Sequence, residues 1–365
     1  MKFPNINSRK FRAVFRIMVA WTLISMIQLL YEMAILTEYG FEYRWSNSGG
    51  FLTYFTINSL AFVVNGFVAG MVIVFFLQNW IRNRSYSQGL LYGILIYVTL
   101  FILMTFLQNY FVVNSMWDGK RSFSLAYMDG LKDYFFSYEF ARNFPFWLVV
   151  LAGTLIALFI NDKYGSGVFG KFLLGDYFEP KSEERVFMFL DLKGSTQIAE
   201  KLGELTYFRF LQEVIKEITP ILISTKAEVY QYVGDEIVLS WDVRNGIRDM
   251  NCIRCYQRIK RQLKDTAQKY QMTFDAIPYF KAGLHVGKAT VGEIGVLKRD
   301  IVYSGDVLNT TARIQSKCND LGADLLLSGD LVRRLQGDTE WLRSIGKVAL
   351  RGKSEEIELY APVAG

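Results

Sequence analysis

The stretch Val186-Phe187-Met188-Phe189-Leu190-Asp191-Leu192-Lys193-Gly194-Ser195-Thr196 decides how this chain is read. Its first seven residues form a nearly continuous apolar run, too short for a helix, and specify a buried β-strand. A glycine and two hydroxyl residues then precede an amphipathic segment, so the strand runs through a tight turn into a helix. Asp191 is placed at the strand end, ahead of free backbone N–H groups and the hydroxyls of Ser195 and Thr196. A metal ion and a phosphate would fit there. Taken alone, the segment fits equally well an aspartate that merely caps a strand end.

Upstream of this strand the chain changes character. Of its 365 residues, 51% are hydrophobic and 21% charged, with a mean hydropathy of +0.17. Residues 1–180 hold 14 Lys/Arg and 10 Asp/Glu, whereas residues 181–365 hold 27 and 25. One soluble globule would not divide its charge in this way. Apolar stretches at 15–36, 55–77, 90–113 and 144–160 are each near the roughly 20 residues that cross a bilayer. They predict an α-helical four-span membrane domain over 1–160, a linker over 161–184 and a soluble domain over 185–365. The first stretch is too long for a removable signal peptide and lacks its small-residue cleavage site.

Basic residues orient these spans. Lys2, Arg9, Lys10, Arg12 and Arg16 precede the first, Arg82 and Arg84 lie between the second and third, and Lys163 and Lys171 follow the fourth. Placing them inside gives a multi-pass protein of the inner (plasma) membrane with both termini cytoplasmic. Trp45, Trp80, Trp117 and Trp147 fall near span ends, as interfacial aromatics do, and Pro145 suits the first turn of span four. Glu32, within a turn of the outer end of span one, reads as a snorkelling side chain. This half contains no His and no Cys, which excludes bis-His haem ligation and thiol relays. It reads as an anchor, dimerisation platform or sensor. Its outer loops are short, so the stimulus expected is a ligand within the bilayer or a partner membrane protein.

Downstream, residues 227–233 and 236–241 flank Gly234-Asp235, the pattern of a β-hairpin with an acid at its turn. Asp191 and Asp235 can then meet across adjacent strands. Two carboxylates beside a phosphate-binding turn are what a pair of Mg²⁺ ions needs to hold a triphosphate and activate a hydroxyl. In Gly305-Asp306-Val307-Leu308-Asn309-Thr310-Thr311-Ala312-Arg313, Asp306 reads as a helix cap, and Asn309 and Arg313, four apart, share one helix face. An amide and a guanidinium projecting together suit a sugar oxygen and a developing phosphoryl charge, although the spacing is also common on solvated faces.

In this order, Phe-Leu-Asp-Leu-Lys-Gly-Ser-Thr, Tyr-Val-Gly-Asp-Glu and Gly-Asp-Val-Leu-Asn-Thr-Thr-Ala-Arg resemble the class III adenylate/guanylate cyclase catalytic domain, over about residues 183–362. The segment from Ala282 to Gly287, with Val291-Gly292, is similar to that family's central strand and following turn. The resemblance implies an α+β ferredoxin-like domain working as a homodimer, with sites built from both chains and a nucleoside triphosphate as substrate. It implies that Asp191 and Asp235, with the Leu192 carbonyl, bind two Mg²⁺ or Mn²⁺ ions. Gly194, Ser195 and Thr196 would cradle phosphates, Asn309 would orient the ribose, and Arg313 would stabilise the transition state. Arg351 stands where the family usually has a phosphate-binding Lys. At the base-reading positions, Gln231 replaces the usual Lys or Glu, and Val302 the usual Asp, Thr or Cys. ATP leads as substrate because it is the commonest in the family; Gln231 both donates and accepts, which leaves other bases open.

Other classes fit less well. Aromatic content of 16% excludes disorder, and three cysteines exclude a disulfide scaffold. The net charge of +6 is spread out, so no nucleic-acid partner is expected. Cys252 and Cys255 read as buried helix cysteines, and His285 as a satisfied core histidine. Two alternatives to a cyclase stand: a catalytically silent receptor or scaffold, favoured by the altered base positions, and a diguanylate cyclase, favoured by the turn around Gly234-Asp235.

Overall fold

Long apolar runs satisfy their backbone groups internally only as helices, and the first part of the chain is helical throughout its described residues. The computed structural model describes residues 6–38, 50–77, 86–116, 122–164, 175, 177–297, 299–350 and 356–363. Its contacts divide the chain into Met1–Tyr164 and Gly165–Gly365.

The first unit contains α1 (Ile6–Glu38), α2 (Gly50–Met71, continuing as a π-helical turn Val72–Leu77), α3 (Tyr86–Met116), α4 (Phe123–Phe135) and α5 (Tyr138–Tyr164). Among the described residues, two helical stretches are long and apolar enough to cross a membrane, Lys10–Tyr31 and Phe140–Ile160. The apolar stretches Phe62–Phe76 and Ser87–Leu103 are shorter. Length and composition thus support two spans rather than establishing four.

Other expectations for this half need correction. Between the third and fourth apolar stretches lies a helix, α4, whose Tyr127 hydroxyl donates to Phe106 O at 3.0 Å. Pro145 lies inside α5 rather than in its first turn, because the helix starts at Tyr138. Trp147 packs against Trp21, with ring centroids 5.4 Å apart. The Glu32 side chain and Trp45, Trp80 and Trp117 lie outside the described residues.

α1 and α2 meet at two glycines four residues apart. A Cβ on Gly66 would stand 3.1 Å from Met18 O, and one on Gly70 3.1 Å from Val14 O. This is the small-residue spacing that lets apolar helices approach closely without a solvent-driven force. Trp21 Nε1 donates to Thr154 Oγ1 at 3.0 Å, and Tyr97 OH to Phe144 O at 3.2 Å, tying α1 and α3 to α5.

In the second unit, β1 (Lys181–Leu192) leads to α6 (Ser195–Leu202) and α7 (Glu204–Ser224). The hairpin β2 (Glu228–Val233) and β3 (Glu236–Asp242) follows, then α8 (Val243–Ile247), α9 (Asn251–Asp265), α10 (Ala267–Phe274) and β4 (Phe280–Ile294). The chain ends with β5 (Asp300–Ser304), α11 (Asp306–Asp320), β6 (Leu325–Ser328), α12 (Gly329–Val332), β7 (Leu342–Val348) and β8 (Ile357–Pro362). The sheet order is β2-β3-β1-β4-β6-β8-β7, with β5 also paired to β4. Strands β1 to β4 are antiparallel, and with α7 and α9 they make the split βαβ arrangement of ferredoxin-like domains. β1 starts earlier than the expected domain boundary at 185. Lys181 already pairs with Val291, so the stretch expected as the end of a linker is ladder.

The alternation of β1 and β4 builds two cores. Val186, Met188, Leu190, Ala282, Leu284 and Val286 face α7 and α9, where Phe210, Val214, Ile218, Cys252, Cys255 and Ile259 complete a buried cluster. On the other face, Phe187, Phe189, Ala289 and Val307 form a smaller one under α11. Arg185, 3% exposed, shares that face. It donates to Ser240 Oγ at 3.0 Å and pairs with Glu183 and Glu228. Its guanidinium lies 5.1 Å from the centroid of the Tyr303 ring, so a buried charge is matched by carboxylates and an aromatic face.

Candidate active site

β1 and β3 run antiparallel, so the end of one lies beside the start of the other. Leu190 pairs with Ile237, and the next residues outward are Asp191 on β1 and Glu236 on β3. Asp235 precedes Glu236 in a two-residue turn. Gly234 there has φ +62°, the first-position positive φ that such a turn requires and glycine supplies. The hairpin delivers Asp235 to the sheet end that carries Asp191.

Electrostatics show the two carboxylates acting on the same neighbours. Burial first, then the charges of Asp191 and Asp235, push the Glu236 carboxyl up to about 7, against an opposing Lys281. The Tyr207 hydroxyl of α7 is raised by burial, then by Asp235, with Asp191 adding to it and a hydrogen bond with Ser195 opposing. Asp235 Oδ2 is buried and, among the described residues, has no hydrogen-bond partner. Asp191 Oδ2 accepts from Gln315 Nε2 at 3.1 Å and pairs with Lys281 Nζ at 3.0 Å.

Asp191 is followed by the expected tight turn. Gly194 has φ +71° and ψ 22°; a Cβ there would come no closer than 3.8 Å to Gln197 Oε1. Conformation rather than space therefore selects glycine. Ser195 and Thr196 open α6, whose first N–H groups have no acceptor within the helix. Leu192 ends β1 with its side chain buried. Two carboxylates, one with an orphaned buried oxygen, beside outward N–H groups fit a divalent cation and a phosphate. Among the described residues no three or more His, Cys, Asp or Glu side chains form a cage.

α11 carries the remaining residues. Its cap position is Gly305, φ +153°, and Asp306 is the first helical residue rather than the expected cap. Asp306 still accepts from Thr310 Oγ1 at 3.1 Å and complements the helix dipole. Thr310, Thr311, Ile314 and Gln315 are buried against the sheet. Asn309 is exposed and Arg313 half-buried. Among the described residues, no hydrogen bond or ion pair joins Asn309 or Arg313 to Asp191 or Asp235 within one chain.

Gln231 is exposed on β2, next to a bulge in its pairing with β3, and Val302 is half-buried on β5 opposite Gly292. Their neighbours Tyr230 and Tyr303 hold one another, with ring centroids 5.2 Å apart and the Tyr303 N–H donating to Tyr230 OH at 3.2 Å. Arg351 lies outside the described residues.

The adenylate and guanylate cyclase catalytic domain model matches residues 178–361. The chain belongs to this family. Among its relatives, adenylate cyclase 2 of Rhizobium meliloti (strain 1021) is 33% identical over 226 residues, covering 61% of this chain and 62% of that protein. The adenylate cyclase of Anabaena cylindrica is 26% identical over 178 residues, or 47% of this chain and 35% of the relative. The chain thus spans less than two thirds of the length of these relatives. A bacterial light-regulated adenylyl cyclase shares the fold, with a TM-score of 0.52 and 22% identity over 59% of this chain and 62% of that one.

The cyclase fold also accounts for the residues outside the motifs. His285 is 7% exposed, with Nδ1 2.7 Å from Ser328 Oγ. Ser328 Oγ also accepts from Leu331 N at 3.2 Å, so the ring is tied to the cap of α12. Cys252 and Cys255 are buried in α9, where burial pushes both thiols up to about 12. Lys281, Gln315, Tyr207 and Glu236 were not singled out from the sequence. Lys281 carried a signal, being two residues before Gly283 on the face of β4 that Asp191 shares across the ladder. Gln315 carried none, because only the tilt of α11 brings it to Asp191.

Proposed function

We propose that this chain is a membrane-anchored nucleotidyl cyclase that converts a nucleoside triphosphate, ATP first, into the 3′,5′-cyclic nucleotide and pyrophosphate for intracellular signalling. The 3′-oxygen bonds to the α-phosphorus as the bond to the bridging oxygen breaks; pyrophosphate takes the electron pair and water the hydroxyl proton. The observation that carries this reading is Asp191 and Asp235 at one sheet end, the latter with an orphaned buried oxygen. Two Mg²⁺ or Mn²⁺ ions, held by these carboxylates and the Leu192 carbonyl, would lower the pKa of the 3′-hydroxyl and shield the triphosphate.

Gly194, Ser195, Thr196 and Arg351 would hold the phosphates, Asn309 the ribose and Arg313 the charge developing at the α-phosphate. Asn309 and Arg313 lie on a side of α11 that does not bury against the sheet, which supports a homodimer in which each site takes them from the second copy. The relatives' names support ATP, and Gln231 can bond to adenine through donor and acceptor together.

Mass spectrometry of products from an equimolar mixture of ATP, GTP, CTP and UTP tests the activity. Cyclic AMP with pyrophosphate is expected to dominate. No cyclic nucleotide from any substrate would replace this reading with a silent scaffold, and a cyclic dinucleotide from GTP with a diguanylate cyclase.

Four spans at residues 1–160, with both termini in the cytoplasm, complete the proposal. Support comes from the basic residues and from the large apolar side chains exposed on the first unit's helices, among them Phe15, Ile27, Leu60, Leu103 and Val149. A bilayer ligand or a partner membrane protein is the stimulus this half would take. Because all three cysteines are buried, introduced thiols can report the topology. In spheroplasts, an impermeant maleimide should label Ser48→Cys and spare Ser85→Cys; labelling of the second would refute the arrangement.

A further inference from the structure

Asp191 is paired with a fixed ammonium. Lys281 faces it directly across the β1–β4 ladder, with Nζ 3.0 Å from Oδ2 and the lysine side chain only 13% exposed. Lys281 Nζ also donates to Asn319 Oδ1 at 3.3 Å, which anchors it from α11. Gln315, 6% exposed, donates to the same Asp191 oxygen. Both contacts fall on Oδ2. Asp191 and Asp235 on one side and Lys281 on the other all act on Glu236.

We infer that Lys281 is a positioning residue that serves as the resident counter-cation of the carboxylate pair and makes metal loading depend on the nucleotide. This rests on the reading that Asp191 and Asp235 hold the divalent ions. A half-buried cluster of carboxylates without a cation would repel itself, and the Lys281 ammonium supplies one that cannot diffuse away. The same charge opposes a divalent ion arriving alone, because two cations then share one carboxylate in a site of reduced dielectric. A triphosphate brings several negative charges with its metal and removes that opposition. Lys281 and Gln315 together also hold the Asp191 carboxylate through one oxygen, which restricts its rotation.

The test uses the purified full chain without nucleotide, titrated with Mn²⁺ while the free ion is followed by electron paramagnetic resonance. Lys281→Met is expected to bind Mn²⁺ at least tenfold more tightly than the parent. Lys281→Arg, which keeps the charge, should stay within about threefold of the parent. Lys281→Gln keeps a donor beside Asp191 without the charge and carries the same expectation as Met, so the test survives if the Met variant fails to fold. Adding Asp191→Asn to either neutral variant should abolish the gain. Unchanged or weaker Mn²⁺ binding in the neutral variants, as a purely structural lysine would give, overturns the inference. So does a gain that persists without Asp191. The cyclase reading fails separately, in the product assay of the parent with nucleotide present.

Discussion

Asp235→Asn is expected to eliminate product formation and, in the same protein, to raise thermal stability. The carboxylate oxygen Oδ2 is buried without a hydrogen-bond partner, and it stands in the field of Asp191 and Glu236. Folding therefore strips water from that oxygen without a hydrogen bond in exchange. An amide has no charge to desolvate, so the metal-free variant should gain about 1 kcal/mol. An amide also cannot neutralise a divalent ion, and pyrophosphate release should fall by about a hundredfold or more. Asp191→Asn is expected to share the loss of activity without the gain, because it deprives the largely buried Lys281 of its carboxylate. Thermal unfolding and pyrophosphate release from both variants check the pair. If Asp235→Asn keeps a tenth of the parent rate, the metal assignment is wrong; if it unfolds below the parent, the buried Asp235 oxygen does not destabilise the metal-free protein.

Gly283→Val should be the most damaging single substitution on β4. A Cβ at this position would lie 2.7 Å from Gln315 Cα and closer still to its amide nitrogen. Backbone cannot rotate away as a side chain can, so α11 must lift from the sheet, at a cost of about 3 kcal/mol. Lifting α11 also withdraws Gln315 from Asp191 and displaces Asn309 and Arg313, so activity should be lost along with stability. Gly287→Ala makes the comparison. Its Cβ would meet Val307 Cγ2 at 3.1 Å, a side-chain contact able to relax, and about 1 kcal/mol is expected. Equal unfolding midpoints for the two variants would show that α11 is not seated on Gly283.

This geometry explains the segment Ala282-Gly283-Leu284-His285-Val286-Gly287 in physical terms. Alternate residues of the strand face α11, and glycine at 283 and 287 clears a groove in which the helix lies directly on the backbone. The pattern was readable as a strand with glycines, but which helix used the groove was not. The turn at Gly234-Asp235 was more legible, since a two-residue turn constrains its own φ values and the flanking strands must pair. Asp306 shows the opposite case. Its side chain made it a natural cap, yet the chain enters α11 from Gly305 at φ +153°, a position fixed by the packing of Lys288 and Val307 around it.

The division into an apolar half and a charged half, the strand-turn-helix around Asp191, the hairpin that carries Asp235 and the family resemblance are all legible in the residues alone. These are local patterns, in which hydrophobic period and turn chemistry act over a few residues. What each functional side chain touches emerges from the folded chain. Lys281 and Gln315 lie 90 and 124 residues from Asp191, and their meeting depends on strand register and on how closely α11 approaches β4. Register and helix approach follow from packing over the whole sheet, which no short stretch of sequence encodes.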